Sequence, residues 1–355
     1  MITDQQLLVA EDGAFQVWLR KGIPQEIIDF LKTARYGTEG AIYEHLGTED
    51  RVAHMHQTLL AYATKGEDLV ACMVMNQVEA RYLDQTIESY YIRYFNAHPK
   101  YRGQGITKRM SLLFIEQLRN HVPGKALFYA ALEVENKRST SIVEKVGFQK
   151  IAKVNTIGFS RFFPKKSTRI EVLTDEEERK QMLNQLASFY EDYTFVHFLN
   201  IFQKDHYYVI RQQGKIVAGI QMHKTVWRIK NMPGTTGWLL LNIVPRLPLF
   251  NKMINPKHFE FLSFEGIYFA PGHEAALIEL MEGLLAKENL KTAIFWLAAT
   301  SHIYQMLIKK VKLGIMHSFV KDAATYIAAD MQYLEEEEKQ KIINSTPYIS
   351  TFDFI

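Results

Sequence analysis

Apolar and polar residues follow a regular order along the first half of the chain. Alternating stretches predict the strands Ala14–Arg20, Thr58–Thr64, Asp68–Met75, Ile87–His98 and Ala126–Val134. Helical spacing of apolar residues predicts the helices Gln25–Arg35, Ile106–Leu118 and Asn136–Val146. Lys65-Gly66-Glu67 is a turn signal, so the second and third strands are expected to form a hairpin.

The second half of the chain repeats this order. The pattern predicts the strands Arg169–Leu173, Tyr207–Arg211, Lys215–Met222, Phe259–Phe269 and Thr292–Ala298. It predicts helices after the cap residue Thr174 and over Glu274–Ala286 and His302–Val311. Lys145-Val146-Gly147-Phe148 and Lys312-Leu313-Gly314-Ile315 lie at matching places in the two halves. We infer a degenerate internal duplication of an α/β fold with a mixed sheet.

Two domains are expected from the length and from this repeat. Phe162–Ser167 is the best linker, which places the domains at 1–164 and 165–334 and leaves 335–355 as a tail. Within the tail, Glu335–Glu338 predicts a solvated helix face. The last eight residues, Tyr348–Ile355, are apolar, so we expect them to pack into the body, plausibly where the two halves meet.

Composition changes this picture little. The chain has 355 residues and a net charge of +3, and so small a charge does not indicate nucleic acid or a membrane as the partner. Trp238–Phe250 is the most apolar stretch, but prolines and polar residues interrupt it too often for a membrane span. Cys72 is the single cysteine and is expected to be buried. With no secretory signal in Met1–Gly13, a cytoplasmic protein is expected.

One segment carries the clearest chemistry, and it joins a predicted strand directly to a predicted helix. It reads His98-Pro99-Lys100-Tyr101-Arg102-Gly103-Gln104-Gly105-Ile106-Thr107. Two glycines let the backbone turn tightly, and the helix directs free N–H groups and its positive dipole end into the turn. Such a turn suits a pyrophosphate. A plain glycine-rich turn is the alternative interpretation of this segment alone.

A second segment strengthens the first. Glu135-Asn136-Lys137-Arg138-Ser139 opens a helix that is followed by Gly147-Phe148, about thirty residues past the glycine turn. Together the two segments resemble the GCN5-related N-acetyltransferase (GNAT) superfamily. Arg102, Gly105 and Thr107 match its glycine loop, and Asn136, Lys145, Gly147 and Phe148 match its later segment. The resemblance is specific over about Asp68–Ile151, and the second half resembles the fold alone.

The resemblance implies that acetyl-CoA is the co-substrate and that no metal takes part. It places the pyrophosphate at Arg102, Gly103, Gln104, Gly105, Ile106 and Thr107, with Lys108 beside them. It places the thioester near Asn96 and Ala97, between two splayed strands, and Asn136 on the pantetheine arm. A small-molecule or peptide amine would attack the thioester directly, and a backbone N–H would stabilise the oxyanion. A homodimer and the acyl chain length are left open.

Two departures from the family pattern concern catalysis. Thr107 stands where the family has Gly or Ala, and Val143 stands at the position of the family's tyrosine general acid. Loss of a general acid costs roughly 10²–10⁴ in rate. The family's Glu on the strand before the glycine loop falls near Tyr91 here, with Arg93 next on the same face. No catalytic residue is assigned, and four other side chains remain candidates near the site: Glu88, His98, Glu133 and Glu135.

The second half predicts no second cofactor site. At the matching place it reads Phe269-Ala270-Pro271-Gly272-His273-Glu274, and a carboxylate at a helix start repels phosphate. Trp227, Trp238 and Trp296 also lie in this half, either in its core or in an acceptor groove. The sequence thus predicts a tandem-domain N-acetyltransferase. The alternatives are a non-catalytic acetyl-CoA-binding module and an aminoacyl transferase of the peptidoglycan-bridge type.

N-myristoyltransferases resemble this predicted architecture, since they also pair an acyl-CoA-binding half with a fold-related second half. Their terminal carboxylate acts as the base. By this resemblance, Tyr348–Ile355 has a catalytic interpretation beside that of a structural clasp or an oligomer contact.

Overall fold

The computed structural model describes residues 2–37, 40–82, 84–101, 105–122 and 124–355. Its strands are β1 (Leu7–Asp12), β2 (Phe15–Lys21), β3 (Ile42–His45), β4 (Thr58–Lys65), β5 (Asp68–Tyr82), β6 (Gln85–Ala97), β7 (Ala126–Glu133), β8 (Gln149–Ser160), β9 (Ile170–Val172), β10 (Tyr193–Val196), β11 (Tyr207–Gln212), β12 (Lys215–Asn231), β13 (Phe259–Phe269), β14 (Thr292–Ala298), β15 (Ala324–Asp330) and β16 (Thr346–Pro347). Its helices are α1 (Gln25–Lys32), α2 (Thr48–Ala53), α3 (Ile106–His121), α4 (Lys137–Lys145), α5 (Glu176–Phe189), α6 (Gly234–Asn242), α7 (Pro248–Asn251), α8 (Glu274–Lys287), α9 (His302–Lys310), α10 (Ile315–Val320) and α11 (Glu336–Asn344). None of these helices is long and apolar enough to cross a membrane.

Unit 1 comprises residues 1–36, 47–152 and 325–344. Its strands follow the order β1-β2-β4-β5-β6-β7-β15, and the neighbours are antiparallel except for the parallel pair β6 and β7. Apolar residues of α3 pack on one face of this sheet in a common core with Phe128 and Phe148. Ile27 and Leu31 of α1 pack on the other face. Both faces are therefore covered, as the apolar run of β5 requires.

Unit 2 comprises residues 37–46, 153–324 and 345–355. Its sheet follows the order β8-β14-β13-β12-β11-β9, with β13 and β14 parallel, and β3 pairs with β12. Buried residues of α5, α8 and α9 form a core with β11 to β14. Most of the predicted elements are present, and the prediction of a mixed α/β fold is confirmed.

The two units repeat one arrangement of strands and helices. In unit 1, the antiparallel hairpin β4–β5 is followed by β6, whose pairing register with β5 shifts once, and β6 pairs in parallel with β7 after the intervening helix α3. In unit 2, the hairpin β11–β12, the strand β13, the helix α8 and the strand β14 follow in the same order, again with one register shift and one parallel pair. This agrees with the inferred duplication. The units are not contiguous in sequence, however, because β15 follows unit 2 along the chain yet pairs with β7 over Thr325↔Glu133 to Asp330↔Phe128. The bounds 1–164, 165–334 and 335–355 remain a prediction.

Two local predictions concerned buried or capping side chains. Cys72 is buried, as expected, and burial raises the pKa of its thiol to about 12. The cap of α5 is Asp175 and not Thr174, since the Asp175 carboxylate accepts the backbone N–H of Glu178 at 2.9 Å. The prediction of Thr174 was wrong by one residue.

The segment Tyr348–Ile355 packs within unit 2, and its side chains are largely buried. Glu265 of β13 organises this contact. Its carboxylate accepts the Phe352 backbone N–H at 2.9 Å and the Tyr348 hydroxyl at 3.3 Å. The predicted docking of the tail into the body is therefore confirmed.

Candidate acyl-CoA site

The strands β6 and β7 of unit 1 separate partway along their length. They pair in parallel from Glu88↔Ala126 to Ile92↔Ala130, the last such pair in the described chain. At the same point the register between β5 and β6 shifts, from Met75↔Ile92 to Val74↔Tyr94, so that Arg93 is an extra residue. A β-bulge of this kind bends a strand and redirects its backbone groups. The predicted splay of these two strands is present, and it begins at Arg93.

The glycine turn lies at the same end of β6. Arg102, Gly103 and Gln104 fall outside the described residues. Gly105 precedes α3 in the left-handed region with φ 73°, and an added Cβ there would meet nothing within 4 Å. Only glycine adopts this conformation at little cost, which is why the turn needs it. The first turn of α3 carries no acidic residue, so its positive end is not neutralised from within the helix.

The predicted residues that follow belong to the first turns of α3. Ile106 is buried and fixes the helix on the core. Thr107 is half-buried, and its carbonyl accepts the Ser111 hydroxyl at 2.8 Å. Lys108 is exposed, as a cation beside a bound anion would be. The threonine that departs from the family pattern is thus accommodated in a regular helix.

Asn96 and Ala97 lie on the separated part of β6. Both are buried, and they pair on their β5 side with Cys72 and Ala71. The Asn96 side-chain Nδ2 is buried and has no hydrogen-bond partner among the described residues. A buried amide donor without a partner costs roughly 1–3 kcal/mol. A polar ligand would remove that cost.

Asn136 caps α4, because its side-chain Oδ1 accepts the Ser139 backbone N–H at 2.9 Å. This capping role accounts for Asn136 without a ligand. Later in α4, Val143 packs against the core of unit 1, and its carbonyl accepts the Phe148 N–H at 3.0 Å. Gly147 has φ 94° and lets the chain turn there. Val143 therefore has a packing role and offers no proton.

The candidate acids and bases lie at different ends of the strands. Glu88 starts the paired part of β6, five positions before Arg93, which is roughly 16 Å away along a strand. Its carboxylate accepts the Gln77 amide at 2.9 Å and the Tyr90 hydroxyl. Burial and this carboxylate raise the pKa of Tyr90. Glu88 is therefore too distant to act at the splay.

Glu133 is the candidate carboxylate nearest to the opening, since it ends β7 three positions beyond the last β6–β7 pair. Glu135 is exposed in the following turn. Tyr91 is buried against Tyr129, with ring centroids 5.2 Å apart, one position before that last pair. Its packing indicates a structural role.

His98 follows β6 and stabilises the turn after it. Its Nδ1 accepts the Lys100 backbone N–H at 3.2 Å, and its ring stacks on Phe30 at 5.9 Å. Its backbone N–H donates to the Val70 carbonyl at 2.8 Å. These contacts agree with the structural role expected for His98.

The matching place in unit 2 carries a carboxylate. α8 begins at Glu274, whose pKa is lowered by its own backbone N–H and by Lys310, 3.0 Å away. The positive end of α8 is thus already occupied by the Glu274 carboxylate. Of the three tryptophans of this half, Trp296 is buried and Trp227 stacks on Tyr43 at 4.2 Å. Core packing was wrong for Trp238, which is 57% exposed.

Residues 25–148 match the family model described as Acetyltransferase (GNAT) family. The match identifies a GNAT domain in this part of the chain. The GNAT fold supports transfer of an acyl group from acyl-CoA to an acceptor, and the predicted resemblance is confirmed. No curated protein matches the chain.

Two solved structures are similar in fold to nearly the whole chain. Saccharomyces cerevisiae N-myristoyltransferase with bound myristoyl-CoA is similar with a TM-score of 0.59 and 12% identity, over 93% of this chain and 85% of that one. A GCN5-related glucosamine N-acetyltransferase region in a fungal multi-domain GH3 β-N-acetylglucosaminidase has a TM-score of 0.52 and 11% identity, over 88% of this chain and 38% of that one. At these identities the likeness establishes the fold.

Proposed function

We propose that the chain is an N-acetyltransferase that transfers the acetyl group of acetyl-CoA to an amine, either a small molecule or a peptide. The observation that carries the proposal is the separation of β6 from β7 at Arg93, at the end of β6 that leads to the left-handed Gly105. A slot between parallel strands beside a helix start suits an extended pantetheine arm that ends in a pyrophosphate. A cytoplasmic enzyme is proposed, because Cys72 is the single cysteine.

The pyrophosphate would lie at the start of α3, held by backbone N–H groups around Gly105 and by Lys108. The thioester carbonyl would lie along residues 93–97, where backbone N–H groups turned away from β7 would stabilise the oxyanion. The amine nitrogen attacks the carbonyl carbon and forms the C–N bond. The C–S bond then breaks, and CoA leaves as a thiolate with the bonding electron pair. One proton passes from the attacking nitrogen to a base.

Proton handling follows from where the carboxylates lie. Glu133 is the base we propose, since it ends β7 at the opening while Glu88 lies at the other end of the paired strands. The thiolate leaves without help from an acid, since thiols have a pKa of about 8.5. This accommodates the valine at position 143. Unit 2 would hold no CoA of its own.

The test compares two glycines with the same backbone conformation. Gly105 has φ 73° and Gly66 of the β4–β5 turn has φ 60°, and an added Cβ meets nothing within 4 Å at either. Gly105→Glu adds a carboxylate where the pyrophosphate would lie, whereas Gly66→Glu adds the same strain elsewhere. Calorimetry with CoA is expected to show binding lost in the first variant and kept in the second. Equal affinity in both would remove the basis of the site.

Turnover separates the enzyme from a module that only binds acetyl-CoA. Acetyl-CoA and myristoyl-CoA are offered with a panel of small amines and peptides, and release of free thiol is followed. We expect amine-dependent thiol release with acetyl-CoA. Binding without release for any amine would favour the non-catalytic module, which the valine at position 143 also motivates.

A further inference from the structure

The loop that joins the two long antiparallel strands of each unit differs greatly in length between the units. In unit 1, β5 ends at Tyr82 and β6 begins at Gln85. In unit 2, β12 ends at Asn231 and β13 begins only at Phe259, so residues 232–258 form an added connection that contains α6 and α7. The duplicated fold does not need this segment, since unit 1 closes the same hairpin with a short turn.

α6 turns an apolar face outward. Trp238 is 57% exposed and Leu239 46%, and Ile243 at the helix end is 37% exposed. Leu239 and Ile243 are four positions apart and share one face of the helix, with Trp238 exposed beside it, whereas Leu240 is buried and only 2% exposed. Leu247, further along the connection, is 46% exposed. Four large exposed apolar side chains within ten residues form a patch, whereas single ones are ordinary.

The added connection is also basic. Residues 206–259 contain eight Lys or Arg residues and no Asp or Glu. Five of the eight lie on β11 and β12, where four of them form ion pairs with carboxylates of other elements, and three lie in the added connection. Arg246, Lys252 and Lys257 are exposed, and no carboxylate of the described residues pairs with them. These three cations lie in the added connection together with the apolar patch.

We propose that residues 232–258 dock this protein on an anionic phospholipid surface. A short helix with outward Trp and Leu residues enters the boundary between headgroups and acyl chains, and adjacent Arg and Lys residues attract anionic headgroups. A second copy of the chain fits this patch poorly, because a two-fold contact would bring the unpaired cations of both copies together. The inference does not depend on the acyltransferase assignment.

The test is sedimentation of the full chain with vesicles of phosphatidylcholine alone or mixed equally with phosphatidylglycerol. Binding is expected to the anionic vesicles and to fall as salt screens the charges. Trp238→Ser/Leu239→Ser/Ile243→Ser is expected to abolish it. Arg246→Gln/Lys252→Gln/Lys257→Gln should weaken it by more than about tenfold, since each cation near an anionic surface contributes roughly fivefold. Thermal unfolding confirms that each variant is folded.

Matched variants elsewhere on unit 2 serve as controls. Ile308→Ser removes a side chain of similar exposure, and Lys166→Gln/Lys309→Gln/Lys312→Gln removes three exposed cations. Both are expected to bind like the parent chain. Vesicle binding should also shift tryptophan emission to the blue, and Trp238→Phe should lose that shift while still binding.

The proposal is overturned if the parent chain does not sediment with anionic vesicles. Equal binding of the patch variants and their controls would overturn it as well. Concentration-dependent dimerisation that the apolar triple variant abolishes, without vesicle binding, would assign the patch to a second copy.

Discussion

Arg119 of α3 forms an ion pair with Asp330 of β15, with its Nε 2.8 Å from the carboxylate. The Asp330 side chain is only 1% exposed, and burial raises the pKa of its carboxyl despite the guanidinium beside it. Arg119 also donates to the Val146 carbonyl at 2.5 Å, at the end of α4. One side chain thus connects three elements of unit 1.

Replacing Arg119 is expected to destabilise unit 1 strongly. Arg119→Ala leaves the Asp330 carboxylate buried without its cation, a change that typically costs about 3–5 kcal/mol. Lys125→Ala, which removes an exposed partner of Glu338, should cost less than about 1 kcal/mol. Urea unfolding at neutral pH measures both. Equal small losses would contradict the role given to the pair.

The same variant predicts a pH dependence. Without Arg119 the folded pKa of Asp330, already above its ordinary 3.8, rises further. The folded state then binds a proton that the unfolded state releases, so the unfolding free energy falls as pH rises through this interval. The deficit relative to the parent chain should therefore be smaller near pH 5 than near pH 7. A deficit independent of pH would show that Asp330 is not the group responsible.

One CoA per chain is the expected stoichiometry. Glu274 occupies the start of α8 and pairs with Lys310, so phosphate would meet a carboxylate there. Equilibrium titration should give a single site. Two sites of comparable affinity would contradict the assignment.

Val143→Tyr introduces the hydroxyl that the family pattern has at this position. If thiolate departs unaided in the parent chain, turnover should stay constant or rise by up to about 10². Steady-state kinetics with acetyl-CoA measures this, with Val143→Phe as the control for added bulk. A large fall in kcat in Val143→Tyr with CoA affinity kept would mean that the acceptor uses this apolar surface.

Phe352 is expected to stabilise unit 2. Its side chain is 1% exposed, so Phe352→Ala should cost about 3–5 kcal/mol. Phe163→Ala, at a position that is 77% exposed, should cost less than about 0.5 kcal/mol.

Deleting Ser350–Ile355 separates the two interpretations of the tail. Lost stability with turnover kept supports a clasp, whereas lost turnover with CoA binding and stability kept supports the catalytic version.

The order of strands and helices along the chain could be predicted from the sequence. Each element follows from the spacing of its own apolar residues and from the glycine, proline and cap residues at its ends. The glycine turn and the cap Asn136 were found in this way. The placement of β15 was not, since nothing in Ala324–Asp330 says that its partner lies near residue 130. The basic connection was missed because a net charge sums over the chain and conceals a stretch without acids. Glu88 could be excluded as the base only from the observed pairing of β6 with β7, which places it at the far end of the paired strands.

Because β15 completes the sheet of unit 1, synthesis on the ribosome imposes a delay. Residues 1–152 emerge long before Asp330, and at 5–20 residues per second the interval is roughly ten to forty seconds. During that time β7 has an unpaired edge and the Arg119 guanidinium awaits its carboxylate. Unit 1 therefore matures only after most of unit 2 has been translated, even though almost all of its own sequence came first.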